Sequence, residues 1–291
     1  MKKFLAFTMA AAMTLSLAAC GNGSGSNTSA GGSGNTAFKL GGTGPLTGDA
    51  SIYGLAAQRG AQIAVEEINA EGGAIQFELK YEDDVNDPEK AVNAYNALKE
   101  WGMQISLGSV TTQPGIATSS YNFADSIFAL TPSASSPDVI SGKDNVYQMC
   151  FSDPNQGTAS AKYIAEQKLG EKVFIIWKSD DNYSTGIKDK FVAEAETLGL
   201  NVVGNATFTA DSKNDFTVQL TQAKQAGADL LFLPIYYDAA SLILTQANAM
   251  GYAPKFFGVD GMDGILTQAN FDTSLAEGVM LLTPFNADDE D

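Results

Sequence analysis

Segments with the pattern of a β-strand and segments with the pattern of an α-helix follow one another along this chain from residue 38 to residue 282. Between residues 75 and 82 apolar and polar side chains alternate strictly, which is typical of a half-buried strand. Val92, Tyr95, Leu98 and Trp101 then recur at helical spacing. Because such alternation favours mostly parallel sheets with helices on both faces, the sequence predicts an α/β fold.

The same patterns place the other elements. The first strand and its loop are predicted at residues 38–46. Further strands are predicted at residues 75–82, 103–107, 127–130, 172–177, 202–208, 229–233, 255–258 and 278–282. Helices are predicted at residues 52–68, 87–101, 156–168, 185–198, 215–225 and 238–250. Asp49 or Ser51 is the expected cap of the first helix, and Gly72 with Gly73 its expected end.

The folded region is expected to form two Rossmann-like lobes joined by a hinge. Residues 37–291 are more than a typical single domain holds. The segments 87–107 and 215–233 have the same order of cap, helix, glycine and strand, which indicates two similarly wound halves. We place the crossover near Ser152 to Gln156, with an N-terminal lobe at 37–154 and a C-terminal lobe at 155–282.

The first 36 residues have the layout of an export signal and a tether. Residues 1–19 combine two lysines, an apolar run and small residues, as a secretory signal does. Leu17-Ala18-Ala19-Cys20 resembles a bacterial lipobox, which implies that Cys20 is acylated and anchors the protein to the outer or periplasmic face of a bacterial cell membrane. Residues 21–36 carry no charge and no large side chain and are expected to act as a flexible tether. The alternative is an ordinary cleaved signal with an incidental Cys.

Composition excludes several classes of function. The formal net charge is −17, so nucleic acid is not an expected partner. The chain contains no His, which removes Ser-His-Asp and Cys-His catalysis and the usual zinc ligand sets. If Cys20 is acylated, Cys150 has no partner for an intrachain disulfide. No cofactor and no metal are expected. A calcium site at Asp83, Asp84 and Asp87 is disfavoured because the run lacks the regular spacing of a calcium loop.

Four compact polar loops follow predicted strands. In open parallel sheets, ligands bind outside the carboxyl ends of the strands, so these loops form the candidate site. The loops cover residues 108–112, 131–136, 235–238 and 259–261.

Several segments together resemble the branched-chain amino-acid binding proteins of ABC importers, which have the type I periplasmic-binding fold. The resemblance rests on residues 44–48 (Gly-Pro-Leu-Thr-Gly), 69–73 (Asn-Ala-Glu-Gly-Gly), 81–84 (Tyr-Glu-Asp-Asp), 131–134 (Thr-Pro-Ser-Ala), and on Asp87-Pro88, Ala91 and Gln156-Gly157. It extends over nearly all of residues 38–285. It implies two lobes that close on an amino acid, a permease and an ATPase as partners, and action as a monomer.

The resemblance also assigns roles to single residues. It implies that Ser109 holds the ligand α-carboxylate, although Ser109 is also suited to cap a helix. It implies that Ser133, Ala134 and Ser135 offer backbone groups and a hydroxyl to the carboxylate and the ammonium group. The same three residues are also compatible with a plain turn.

The remaining implied contacts are one acid and three aromatic residues. Asp260 stands where the family usually has a Glu that pairs with the ligand ammonium group, with Tyr236 beside it. A turn aspartate before a glycine is the alternative for Asp260. Tyr53 and Tyr183 match aromatic residues that cover the ligand from opposite lobes, and both are equally compatible with positions at the edge of the core.

Members of this family continue for about a hundred residues beyond the point that matches residue 291. The resemblance therefore leads us to expect an incomplete sequence, in which residues 283–291 begin a crossover back to the first lobe and apolar surface of that lobe is exposed. The predicted function is a non-enzymatic, extracytoplasmic, lipid-anchored amino-acid binding protein. One rival is a ligand-sensing receptor ectodomain of the same fold. The other is a lipid-anchored hydrolase with a carboxylate pair, Asp83 with Asp84 or Asp180 with Asp181.

Overall fold

The structure, a computed structural model, describes residues 37–284. The predicted signal peptide, the lipidation site Cys20 and the tether lie outside the described residues, as do residues 285–291. None of the helices within 37–284 is long and apolar enough to cross a membrane.

The first lobe is built on five parallel strands in the order β2-β1-β3-β4-β5. Its strands are β1 (Ala37–Gly44), β2 (Gln76–Asp83), β3 (Ile105–Leu107), β4 (Phe128–Thr131) and β5 (Val146–Gln148). Its helices are α1 (Ser51–Ala70), α2 (Pro88–Trp101) and α3 (Thr112–Ala124), with a short 3-10 helix at Pro137–Val139. Leu40 pairs with Leu79 on one side and with Ile105 on the other, so β1 is an interior strand of the sheet.

The second lobe is built on five further parallel strands in the order β10-β9-β8-β6-β7. Its strands are β6 (Val173–Lys178), β7 (Val202–Phe208), β8 (Leu230–Leu233), β9 (Lys255–Gly258) and β10 (Met280–Leu281). Its helices are α4 (Asp153–Glu166), α5 (Asn182–Leu198), α6 (Thr217–Gln225) and α7 (Tyr237–Ala249). Short 3-10 helices lie at Ala210–Ser212, Asp260–Met262, Ile265–Thr267 and Thr273–Ala276. The predicted α/β fold with two parallel-sheet lobes is confirmed.

The core of the second lobe explains its apolar strands. All four residues of β8 are fully buried, and successive side chains enter the two clusters on opposite faces of the sheet. Leu231 and Leu233 pack in one cluster, whereas Leu230 and Phe232 pack in the other. Burial of such a side chain stabilises the fold by about 1.5–3 kcal/mol. This rigid sheet positions the loops at its carboxyl edge.

Two local predictions about caps have different outcomes. The Asp87 side chain accepts a hydrogen bond from the Lys90 N–H at 2.9 Å, so α2 begins as expected. At α1 the prediction was wrong, because Ala50 occupies the cap position and no side chain makes a capping bond there. Asp49 instead forms an ion pair with Lys213 of the other lobe.

Helix α3 and strand β5 were not predicted. The buried face of α3 consists of small and polar residues and so gives no apolar stripe: Thr112, Pro114, Gly115, Thr118, Ser119 and Asn122. Several of these polar side chains bond to backbone carbonyls of the same helix, at Pro114, Ile116 and Thr118. Strand β5 has only three residues.

The lobes touch each other across the cleft. The Tyr53 hydroxyl, on α1, lies 2.8 Å from the Gly261 carbonyl oxygen and 2.7 Å from the Asp263 carbonyl oxygen. The Gln113 side-chain amide donates to the Asp180 carbonyl oxygen at 3.0 Å. The chain passes from the first sheet to the second between β5 and β6, and α4 is the connecting helix. The exact lobe boundary stays a prediction.

Candidate ligand-binding site

A cavity of about 20 Å³ lies between the lobes at the carboxyl edges of both sheets. It is lined by residues from both lobes: Tyr53, Val110, Thr111, Ser133, Ser135, Tyr183, Tyr236, Asp260 and Gly261. Six of the eight residues expected at the site are among them, and Ser109 and Ala134 are not. The volume is near that of a single water, so a larger ligand can enter only when the lobes separate.

Tyr183 and Asp260 form the second-lobe side of the cavity. The Tyr183 hydroxyl donates to Asp260 Oδ1 at 2.5 Å and accepts a hydrogen bond from the Gly261 N–H at 2.9 Å. The Asp260 N–H donates to Gln156 Oε1 at 3.2 Å, which ties the acid to α4. A Cβ at Gly261 would lie 2.6 Å from the Tyr183 hydroxyl oxygen, so only glycine allows this approach.

Three tyrosines supply the apolar surface of the cavity. The rings of Tyr183 and Tyr236 stack with centroids 4.8 Å apart and an interplanar angle of 15°. Tyr53 approaches Tyr236 from the opposite lobe, with centroids 6.1 Å apart. Aromatic rings of this kind can cover an apolar side chain, while the Tyr53 hydroxyl bonds to backbone carbonyls and the Tyr183 hydroxyl to Asp260.

The first-lobe side of the cavity is the N-terminus of α3. Thr111 is the N-cap residue and makes no side-chain capping bond, and its hydroxyl is buried without a hydrogen-bond partner among the described residues. Helix N-termini favour anions through their unsatisfied N–H groups and the helix dipole. Ser135 lies beside this terminus, with its N–H donating to Thr112 Oγ1 at 3.2 Å. This side of the cavity therefore suits a carboxylate.

Ser109 and Ala134 are buried behind the cavity wall. The Ser109 hydroxyl lies 2.5 Å from the Thr43 hydroxyl and 3.1 Å from the Thr118 hydroxyl. The Ala134 N–H donates to Thr131 Oγ1 at 3.0 Å, and its carbonyl oxygen accepts from the Gln148 side chain. Their direct roles in ligand binding stay predictions. Thr111, which the sequence reasoning missed, stands two residues beyond Ser109 in the polar loop already singled out.

The cavity has negative but no positive side chains. No Lys or Arg lines it within the described part of the chain. Burial raises the pKa of the Asp260 carboxyl, while the hydrogen bond from the Tyr183 hydroxyl acts in the opposite direction. Burial also raises the pKa values of Tyr53, Tyr183 and Tyr236 well above the usual value, so these hydroxyls are neutral. A cation beside Asp260 would stabilise its ionised form.

A larger cavity of about 220 Å³ lies on the other side of Tyr236. It is open to solvent, and Lys90, Lys178 and Lys213 line it together with carboxylates of both lobes. Lys213 pairs there with Asp49, and Lys178 with Asp180 at 3.6 Å. The outer and inner cavities therefore have Tyr236 as a common lining residue.

The carboxylate pairs considered for hydrolysis serve structural roles. Asp83 accepts hydrogen bonds from the Leu46 N–H at 2.8 Å and the Thr47 hydroxyl at 2.6 Å and so fixes the loop after β1. Asp181 is the buried N-cap of α5 and accepts from the Tyr183 N–H at 3.1 Å. No group of three side chains suited to a metal ion occurs within the described residues.

Comparison with known proteins matches this architecture. The profile of a family described as periplasmic binding protein matches residues 37–291. The Leu/Ile/Val/Thr-binding protein of Salmonella typhimurium is 30% identical over 258 residues, which cover 86% of this chain and 69% of that protein. The Leu/Ile/Val-binding protein homolog 3 of Brucella melitensis biotype 1 is 30% identical over 221 residues, which cover 75% of this chain.

The described fold also matches solved structures. The branched-chain amino acid transporter substrate binding protein of Streptococcus pneumoniae, solved in complex with isoleucine, superimposes with a TM-score of 0.74 at 28% identity. The match covers 81% of this chain and 68% of that structure. The chain spans about 60% of the length of the Brucella relative.

Proposed function

We propose, from the premise that this chain belongs to the periplasmic binding protein family, that it binds an amino acid between its two lobes as the extracytoplasmic receptor of an ABC importer. The observation that carries the proposal is the interlobe cavity, where the Asp260 carboxylate faces the N-terminus of α3 across three tyrosines. A ligand with one cationic and one anionic group satisfies both ends.

The ligand lies with its ammonium group at Asp260 and its carboxylate at the first lobe. A charge-assisted bond from an ammonium group to a carboxylate is shorter and stronger than a neutral bond. The ligand carboxylate binds the Thr111 hydroxyl, the Ser133–Ser135 loop and the N–H groups at the start of α3. Ser109, buried behind the cavity wall, supports this side of the site. Since no cation lines the cavity, the helix terminus supplies the positive field for the anion.

The ligand side chain is of the branched-chain type. The aromatic faces of Tyr53, Tyr183 and Tyr236 offer apolar contact, and the hydroxyls of Tyr53 and Tyr183 are already engaged in hydrogen bonds. The Salmonella and Brucella relatives carry Leu, Ile and Val in their names, and the Streptococcus structure contains isoleucine. These resemblances support the same class of ligand here.

Binding closes the lobes, and no bond is made or broken. Tyr53 contacts the second lobe only when the lobes meet, so a ligand that touches both sides favours the closed form. The closed form then delivers the amino acid to a membrane permease driven by an ATPase. Acylation of Cys20 holds the protein at the membrane face.

A ligand screen tests the proposal directly. The melting temperature of the purified protein is measured with each of the common amino acids, with small amides and with short peptides. A ligand at 100 times its dissociation constant adds about 2.7 kcal/mol of stability, or about 5–10 °C for a protein of this size. If no amino acid raises the melting temperature, the proposed function is wrong.

A variant pair tests the ammonium contact. Asp260→Ala is expected to abolish the shift, whereas Glu277→Ala removes an exposed carboxylate of the same lobe and should leave it unchanged. Retained affinity in Asp260→Ala would exclude Asp260 as the ammonium partner.

A second variant tests the membrane anchor. Cys20→Ser should release the protein from membranes and prevent labelling with a radioactive fatty acid. Labelling of the Ser variant would reject Cys20 as the acylated residue.

A further inference from the structure

Asp153 is a buried acid that the binding scheme above does not use. It is the first residue of α4, and its side chain is fully buried. Neither carboxylate oxygen has a hydrogen-bond partner among the described residues. Its N–H donates to the Ser135 carbonyl oxygen at 3.0 Å, so it lies directly behind the loop that lines the cavity.

Among the described residues, three acids act on Asp153 and no cation does, although Lys178 acts on the neighbouring Asp181. Asp260 of the 3-10 helix, Asp181 at the start of α5 and Asp138 of the first lobe each act on it electrostatically. Asp153 in turn acts on the Cys150 thiol and the Tyr236 hydroxyl, which are neutral groups with raised pKa values. The Ser135 hydroxyl is the polar group that favours its ionised form.

Two further contacts hold Asp153 close to the ammonium side. On the α5 side, a Cβ built at Gly186 would lie 3.4 Å from Asp153 Cβ and 3.7 Å from Oδ2, so no side chain separates this acid from α5. One turn along α4, Gln156 Oε1 binds the Asp260 N–H, and the Gln156 amide nitrogen is buried without a partner. The first turn of α4 therefore connects Asp153 to Asp260.

Two buried carboxylates without a nearby cation do not both ionise at neutral pH. Like charges and desolvation each favour the protonated form of one of them. Burial, followed by the charges of Asp260, Asp181 and Asp138, raises the pKa of Asp153 to about 8. The α4 N-terminus favours the ionised form by a smaller amount, typically less than 1 kcal/mol.

We propose that Asp153 and Asp260 together retain one proton in the ligand-free protein, and that the ammonium group of the ligand replaces it. Asp153 acts as a positioning residue, because its charge is transmitted to the ligand through the field at Asp260 and not by direct contact. The inference rests on the proposed function and adds proton release to it.

The direction of the pH dependence follows from this exchange. Below the pKa of the retained proton, each ligand must displace that proton to bind. The affinity for an amino acid therefore falls by about tenfold for each unit that the pH is lowered from 7.5 to 5.5. A ligand without an ammonium group displaces no proton and shows no such loss.

Calorimetry of the intact protein measures the exchange. Binding of L-isoleucine, or of the amino acid with the largest response in the screen, is titrated at pH 6.5 in two buffers that differ in ionisation enthalpy. The difference in heat is expected to correspond to the release of close to one proton per ligand. The isosteric 2-hydroxy acid is expected to release none. Equal heats in both buffers for the amino acid would overturn the proposal.

Two variants separate this role from a structural one. Asp153→Asn should still bind the amino acid, with less than a threefold change in affinity between pH 5.5 and 7.5 and no proton release. Asp84→Asn is the matched control, because Asp84 is also fully buried with a pKa raised to about 7, but the charges that act on it are those of Asp83 and Asp87 and not that of Asp260. It should keep the pH dependence of the unaltered protein.

The outcomes distinguish this proposal from the proposed function. If no amino acid binds the unaltered protein, the proposed function fails. If an amino acid binds with the same affinity at pH 5.5 and 7.5, only the proton exchange is refuted. If Asp153→Asn does not fold, the proposal is still tested by the two-buffer measurement on the unaltered protein, because that measurement needs no variant.

Discussion

Replacement of Tyr183 by Phe tests the hydrogen-bond network that holds Asp260. The substitution removes one oxygen atom, and the ring keeps its stacking contact with Tyr236 at 4.8 Å. Two hydrogen bonds are lost, one donated to the Asp260 carboxylate at 2.5 Å and one accepted from the Gly261 N–H at 2.9 Å. Because Tyr183 is 2% exposed, water does not readily replace the missing oxygen.

The size of the effect follows from the two bonds. A hydrogen bond to a charged group contributes about 1.5–3 kcal/mol and a neutral one about 0.5–1.5 kcal/mol. The free energy of unfolding of Tyr183→Phe should therefore fall by about 2–4 kcal/mol. Only the bond to Asp260 bears on the ligand ammonium group, so the affinity for an amino acid should fall by roughly 10- to 150-fold.

The pH dependence of the variant gives a second readout. The Tyr183 hydroxyl lowers the pKa of the Asp260 carboxyl, so its removal raises that pKa. An ammonium group binds the ionised acid, and the affinity of Tyr183→Phe should therefore recover partly as the pH rises from 6 to 8. Urea denaturation and calorimetric titration at three pH values measure both quantities.

Tyr252→Phe is the matched control in the same lobe. The Tyr252 hydroxyl donates to the Ala228 carbonyl oxygen at 2.8 Å and does not line the cavity. Its loss should cost about 1 kcal/mol of stability and leave the affinity unchanged. If Tyr183→Phe and Tyr252→Phe bind equally well, the network does not position Asp260.

Three further predictions concern the cleft and the buried acids. Tyr53→Phe loses the hydroxyl that bonds across the lobes. The affinity for the ligand should fall about fivefold, with unchanged unfolding free energy. If calorimetry gives the same affinity as for the unaltered protein, the Tyr53 hydroxyl has no role in closure. Gly261→Ala places a Cβ 2.6 Å from the Tyr183 hydroxyl oxygen. It should lower the unfolding free energy by about 1–3 kcal/mol, measured by urea denaturation. Gly60→Ala is the control and should not destabilise the protein, because a Cβ at Gly60 has no atom within 4 Å. Asp84 has its pKa raised to about 7 and keeps a proton in the folded state that it loses on unfolding, so stability should fall as the pH rises from 5 to 7. Asp84→Asn should reduce that fall, and an unchanged slope would contradict the assignment.

Most strands and most helices could be predicted because their buried residues are apolar and regularly spaced. Strand β8 reads as a continuous apolar run because both faces of its sheet are covered. Helix α3 has no such spacing, since Gly115, Thr118 and Asn122 form its buried side. The small side chains allow close packing and bond within the helix, and neither property has a periodic apolar signature.

The site could be predicted to the level of loops but not of every side chain. The carboxyl edge of a parallel sheet is fixed by topology, so the strand-end loops were found. Which residue of a loop turns toward the cleft depends on its backbone path. Ser109 turns toward Thr43 and Thr118, whereas Thr111 faces the cavity. Asp153 falls in the predicted crossover before the helix at 156–168, and its burial arises only when α4, α5 and the Ser135 loop pack together.

In the proposed binding mode, the first turn of α4 links the carboxylate end of the site to the ammonium end. The Asp153 N–H binds the Ser135 carbonyl on the carboxylate side of the cavity, and Gln156 binds the Asp260 N–H on the ammonium side. One helical turn, placed immediately after the crossover, therefore contacts both ends of the site proposed for a zwitterion. A rotation of the lobes changes the position of that turn relative to the first lobe. Binding of the two charged groups of the proposed ligand and closure of the cleft therefore depend on the same few residues. The tyrosines add apolar contact area on top of this arrangement, and their substitution should alter which side chain is preferred without removing the requirement for an ammonium group.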